Sequence, residues 1–201
     1  MNVKNVVVSI QKEENSNIEK LIKIVNNKKI NLILVKKNDR INIEKNLYID
    51  IIWPDNENLI SENAINNNSL VCKLIYNDFS ILFTGDIEKV AEENILNEKT
   101  NLDAKVLKVA HHGSNTSSIQ KFIEKVNPKI VLIGVGENNK FGHPNIEILN
   151  QFKRIGSKIY RTDLDGEVII VVNRKGKITS FHKNKRSNLF SERTAKSCHF
   201  N

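Results

Sequence analysis

The stretch 82-LFTGDIEKVAEENIL-96, read with 106-VLKVAHHGSNTSS-118, decides how this chain is built. In the first, an apolar run ends at Thr84-Gly85-Asp86 and a helical pattern begins. In the second, the apolar run 106–110 ends at His111-His112-Gly113-Ser114. A third junction comes in 128-PKIVLIGVGENNKFGHPNIEIL-149, where the run 129–135 leads into Phe141-Gly142-His143-Pro144 ahead of another helix. A carboxylate or imidazole at the carboxyl end of a strand, just before a helix, sits where open α/β sheets place ligand sites. Three of the chain's five His stand at these junctions. His182 and His199 are read as incidental.

Each junction also has a plainer reading. Gly85 lets the chain turn sharply, and Asp86 could serve only as a helix N-cap. His111 and His112 could be two polar rings in a turn, although neutral imidazole beside a carboxylate suits Zn, Mn or Fe. Of the pair, one ring is expected to face the site and the other to orient or pack. Ser114, Thr116 and Ser117 read as caps for the next helix. Their hydroxyls and the nearby backbone N–H groups could also receive a phosphate.

Working outward, 3–10 reads as a buried strand and 15–29 as a helix, with Ile18, Leu21, Ile22 and Val25 at helical spacing and Ser16 as N-cap. Residues 30–35 form another strand, 41–55 a hairpin ending at Trp53-Pro54, and 61–68 an Asn-rich link. Segments 69–76 and 79–85 make a hairpin about Asn77-Asp78. Helices are expected over 87–98, 116–126 and 144–156, the last with Pro144 near its start. Strands are expected over 104–110, 129–135, 157–162, 166–172 and 176–182. A β-rich first half, then alternating β and α, then returning strands gives an α/β class with helix-covered sheets.

The length of 201 residues suits one domain, here 1–182, with a tail over 183–201 expected to be disordered or weakly docked. That tail has five Lys and Arg against one Glu, so it carries +4 of the net +8. A mildly basic body fits a phosphate-bearing partner, or simply a solvated lysine-rich surface. Cys72 and Cys198 make neither a CxxC motif nor a disulfide framework. No apolar run approaches the roughly 20 residues that span a bilayer, and the opening residues do not read as a signal peptide.

Four segments, 68-NSLVCKLIYNDFSILFTGDIEKVAEENIL-96, 106-VLKVAHHGSNTSS-118, 128-PKIVLIGVGENNKFGHPNIEIL-149 and 159-IYRTDLDGEVII-170, occur in order and at matching spacing. Together they resemble the C-terminal metallo-β-lactamase-like domain of the ComEC competence proteins, a DNA-uptake channel family. The resemblance runs over residues 3–172. It implies a metallo-β-lactamase-like αββα sandwich and a hydrolase holding divalent metal, Zn or Mn. It assigns Asp86 as a bridging or second-metal ligand and His112 as a ligand of the second metal, with His111 as the alternative. Asp86 and His112 are thus the implied catalytic residues. His143 would lie near the substrate or just behind the metal ligands. Asn68 and Ser69 stand near a position where many relatives supply a further His.

The implied activity is phosphodiester cleavage, a nuclease acting on the strand that is not imported or a related ester hydrolase. Its metals would lower the pKa of a bound water and hold a phosphate oxygen. DNA or another phosphodiester is the implied substrate, and a membrane DNA-uptake channel the implied partner. One departure bears on this. The family's first metal motif is a His-x-His-x-Asp-His run, with Ser for the middle His in many members, and this chain has no His before His111. Residues 3–25 resemble the part of the family domain that lies soon after that motif, so the chain reads as the domain with its first segment removed. Weak metal binding and little hydrolysis are then expected of it alone. Two other readings stand beside this one: a non-catalytic nucleic-acid-binding module, and a stand-alone hydrolase of a lactone, phosphonate ester or phosphocholine ester.

Overall fold

A computed structural model describes residues 3–10 and 16–183. Its centre is a seven-stranded sheet ordered β3-β4-β5-β6-β7-β8-β9, built from β3 (Arg40–Glu44), β4 (Leu47–Trp53), β5 (Val71–Tyr76), β6 (Phe79–Phe83), β7 (Val106–Lys108), β8 (Ile130–Ile133) and β9 (Lys158–Arg161). The first four strands pair antiparallel and the last four pair parallel, so β6 joins the two halves. The composition accounts for this split. Short turns such as Asn77-Asp78 can connect antiparallel neighbours, whereas parallel neighbours need a crossover. The helices α3 (Lys89–Asn97), α4 (Gln120–Val126) and α5 (Ile146–Arg154) supply those crossovers.

Side-chain alternation along the strands divides the core in two. Leu82, Leu107, Val109, Val131 and Ile133 face the helix layer, where they bury Ile87, Ala91, Ile95, Phe122, Ile123 and Phe152. Their neighbours Phe79, Ile81, Val106 and Ile130 face the other way. On that side lies an antiparallel ribbon of β10 (Glu167–Val172) and β11 (Ile178–Lys183), packed through Val168, Ile170, Val172 and Ile178. The layers are therefore helices, main sheet and ribbon, in the α/β class expected from the sequence.

The N-terminal unit stands apart from the main sheet. Strands β1 (Asn5–Ser9) and β2 (Asn31–Val35) pair parallel around α1 (Ser16–Asn27). The Ser9 hydroxyl donates to the Asn68 carbonyl, 3.3 Å. Val25 and Val35 are buried, but Leu32, Ile33 and Leu34 are exposed.

Several boundaries differ from the sequence reading. The Asn-rich link contains a short helix, α2 (Ala64–Asn67), and Thr162–Asp165 forms α6. The strand expected over 104–110 ends at Lys108, and a 3-10 turn covers Ala110–Gly113. The helix expected from 116 starts at Gln120, because Ser114, Thr116 and Ser117 do not cap it. Its N-cap is Ile119, which has no capping side-chain bond of its own. Glu92, reaching across from α3, accepts the backbone N–H groups of Ser118 and Ile119 at 2.6 and 2.8 Å. The tail expected from 183 begins at the last residue of β11, and the remainder lies outside the described residues.

Candidate functional site

The three junctions come together because β6, β7 and β8 are parallel and in register, so their carboxyl ends share one edge of the sheet. Asp86 comes after β6. It is not an N-cap: α3 is capped at Glu88, in extended conformation. Its turn is fixed by neighbours from α2 and from the link just before β5. The Ser69 hydroxyl accepts from the Asp86 N–H at 3.3 Å, and the Asn67 side chain accepts from the Glu88 N–H at 3.0 Å. Gly85, at φ +56°, lies so close that an added Cβ would meet the Ser69 Cβ at 2.7 Å.

His111 and His112 both occupy the left-handed region, at φ 45° and 56°. Such backbone is uncommon for non-glycine residues and costs of order 1–3 kcal/mol where the surroundings enforce it. The two rings diverge, with centroids 6.4 Å apart and planes 62° apart. Nδ1 of His112 donates to the Gly134 carbonyl at 2.6 Å, after β8. That bond fixes the tautomer and leaves Nε2 facing Asp86 Oδ1 at 3.9 Å. His111 instead sets Nδ1 against Glu88 Oε1 at 3.3 Å and the Thr116 hydroxyl at 3.4 Å. The Thr116 hydroxyl in turn donates to Glu88 Oε1 at 3.0 Å. His143 closes the group, with its ring 5.9 Å from that of His111. Burial first, and then the two neighbouring imidazoles, hold its pKa below the ordinary histidine value.

The other residues singled out from the sequence have distinct places. Ser114 is buried, and its hydroxyl accepts from the Thr116 N–H at 3.2 Å within the turn. Asn68 is buried too. Its side chain clasps Ile60 through both N–H and carbonyl and reaches the Ala64 carbonyl. Ser69 supports Asp86 from below. Sequence reasoning missed Glu88, Asn67, Glu92 and the Gly134 carbonyl. It also missed Lys108, whose ammonium is partly buried beneath the same edge and donates to the Val109 carbonyl at 3.0 Å. Burial lowers its pKa while Asp86 opposes the change.

Asp86 and His112 are chemically suited to a borderline divalent cation. Bonds of about 2.0–2.1 Å to imidazole and 2.0–2.2 Å to carboxylate sum to roughly 4.0–4.3 Å end to end, so a 3.9 Å separation lets one ion reach both at a wide angle. They remain a pair, however. Among the described residues no group of three or more His, Cys, Asp or Glu is arranged to hold a metal ion. A catalytic zinc site has three protein ligands and an open position. The donor set therefore fits part of a metal centre and not a complete one.

No protein-family profile matches the chain. It is similar to ComE operon protein 3 of Bacillus subtilis, 33% identical over 150 residues, which are 75% of this chain and 19% of that protein. It is similar to competence protein ComA of Neisseria gonorrhoeae, 34% identical over 112 residues, 55% of this chain and 16% of that protein. Among solved structures it is similar to the metallo-β-lactamase fold protein YhfI from Bacillus subtilis, with TM-score 0.43 and 9% identity, over 88% of this chain and 65% of that one. The chain spans less than a fifth of the length of these two competence proteins. This chain is thus similar to a segment of ComEC-type competence proteins, and its own fold is a mixed α/β one about a central mixed sheet.

Proposed function

We propose that this chain contributes one half of a divalent-metal phosphodiesterase centre, with Asp86 and His112 as its ligands and DNA as its substrate, in a protein linked to DNA uptake. The observation that carries the reading is the His112 ring, tied at Nδ1 to the Gly134 carbonyl and facing Asp86 through Nε2. A backbone acceptor on one ring nitrogen is the usual support of a metal-ligating histidine. Zn or Mn, when bound, would supply an activated water and hold a phosphate oxygen. The chain's own residues do the rest: Ser69 and Asn67 set the Asp86 turn, Gly134 orients His112, and His143 borders the place where substrate would lie. A membrane DNA-uptake channel is the partner that the relatives suggest.

Metal affinity of the purified chain tests this, measured with Mn and with Zn alongside Asp86→Ala and His112→Ala. The expected result is weak binding that each substitution abolishes, with little hydrolysis of DNA. Strong, chelator-sensitive nuclease activity lost in Asp86→Ala would overturn the view that the described ligands are insufficient. Binding unaffected by either substitution would overturn the site.

The incomplete ligand set and the net charge of +8 also favour a second reading, a nucleic-acid-binding module without catalysis. It predicts DNA binding that falls steeply with salt and ignores chelators.

A further inference from the structure

The loop after β8 carries a feature that the metal pair does not use. Phe141 is 82% exposed, the largest exposure among the exposed large apolar side chains of the described residues. Its ring is nearly parallel to that of His143, with centroids 5.9 Å apart and planes 16° apart. The loop that presents it is held from within. The Asn139 side chain accepts from the His143 N–H at 2.8 Å and donates to the His143 carbonyl at 2.7 Å. Phe141 and His143 line one cavity of about 380 Å³ together with His112, Asn139 and Thr162. Ligand pockets commonly run from about 300 to 1,000 Å³.

A lone exposed phenyl ring flanked by His112, Asn139 and Thr162 does not suit a protein interface, whose centre is a broad, well-packed apolar patch. It suits a flat π-system that arrives already attached to an anion. Resting on the proposed phosphodiesterase reading, we infer that Phe141 is a stacking platform for an unpaired base of a single-stranded nucleic acid whose backbone passes His112. A duplex keeps its bases stacked on one another, whereas a single strand can lay a base on an aromatic side chain. The Asn139 clasp holds the loop backbone that presents the ring, so less ordering remains to be done on binding. Lys140, next in the chain and exposed, adds positive charge beside it.

The test is binding of the full chain, in EDTA, to a short oligothymidylate and to the same oligomer made of abasic sites. Wild type, Phe141→Ala and Phe141→Trp are compared. Wild type should bind the base-bearing strand more tightly than the abasic one. Phe141→Ala should weaken the base-bearing strand by roughly 5- to 150-fold, the range of one lost base–aromatic stack, and leave the abasic strand unchanged. Phe141→Trp should keep the preference. Equal binding of both strands by wild type would overturn the stacking role while leaving backbone recognition standing. Equal weakening of both strands in Phe141→Ala would also overturn it, since the ring would then serve only the loop. Binding of neither strand by wild type would remove the nucleic-acid reading and the stacking role together.

Discussion

His111 and His112 are adjacent in sequence yet do different things, and the oxygens each Nδ1 meets decide which. The Gly134 carbonyl aims His112 at Asp86, whereas Glu88 and Thr116 hold His111. A carboxylate behind an imidazole is itself a common support for a metal ligand, and losing such support costs about 10- to 100-fold in affinity. Glu88→Gln therefore separates the two assignments. If His112 is the ligand, metal affinity changes by less than about 3-fold, below that range; a fall of 10-fold or more, read by titration with Mn or Zn, would move the assignment to His111. Gly113 is just as constrained. At φ +81° an added Cβ would meet the Pro144 Cβ at 2.7 Å, and the Gly113 carbonyl accepts from the Asn145 N–H at 2.8 Å. Gly113→Ala should cost about 2–4 kcal/mol in urea unfolding, combining left-handed strain with overpacking against a rigid ring.

Between elements, the contact that matters most is Glu92. It lies on α3, fully buried, and receives two N–H groups from the start of α4. Removing it would leave those donors in the core without a partner, a loss of about 1–3 kcal/mol for each. Burial pushes its carboxyl up to about 7, against the two N–H bonds that pull it down. The folded-state value lies above the ordinary 4.5. Its stabilising contribution is therefore complete below about 4.5 and fades as pH rises through about 7. Wild-type stability should lose this share across that window, and Glu92→Gln should flatten the slope while lowering stability, since an amide N–H₂ cannot accept from a backbone N–H. Urea midpoints below and above the window check both statements. An unchanged pH slope in Glu92→Gln would contradict the assignment.

Over the whole molecule, the main sheet is covered on both faces, but the N-terminal β1–α1–β2 unit is not. Leu34 is 61% exposed, with Leu32 and Ile33 beside it on the same strand. Exposed apolar strands of this kind invite association. Leu34→Lys should change stability by no more than about 0.5 kcal/mol, as an exposed site does, and should reduce self-association seen by light scattering. A loss above about 2 kcal/mol would show that Leu34 is packed in solution. No helix among the described residues is long and apolar enough to cross a membrane. The sequence by itself determined the α/β class and brought Asp86, His112 and His143 to one edge. Apolar runs mark strands, and in a parallel sheet the residues just past each run must emerge at the same end. It could not show which histidine faces Asp86, nor that Glu92 rather than the Ser114–Ser117 hydroxyls caps α4. Those outcomes depend on partners 20 or more positions away, such as Gly134 for His112 and Ser118 for Glu92. Only the register of β6, β7 and β8 and the packing of α3 against α4 bring such partners within hydrogen-bond reach, because a bond at 2.6 Å depends on separation in space and not along the chain.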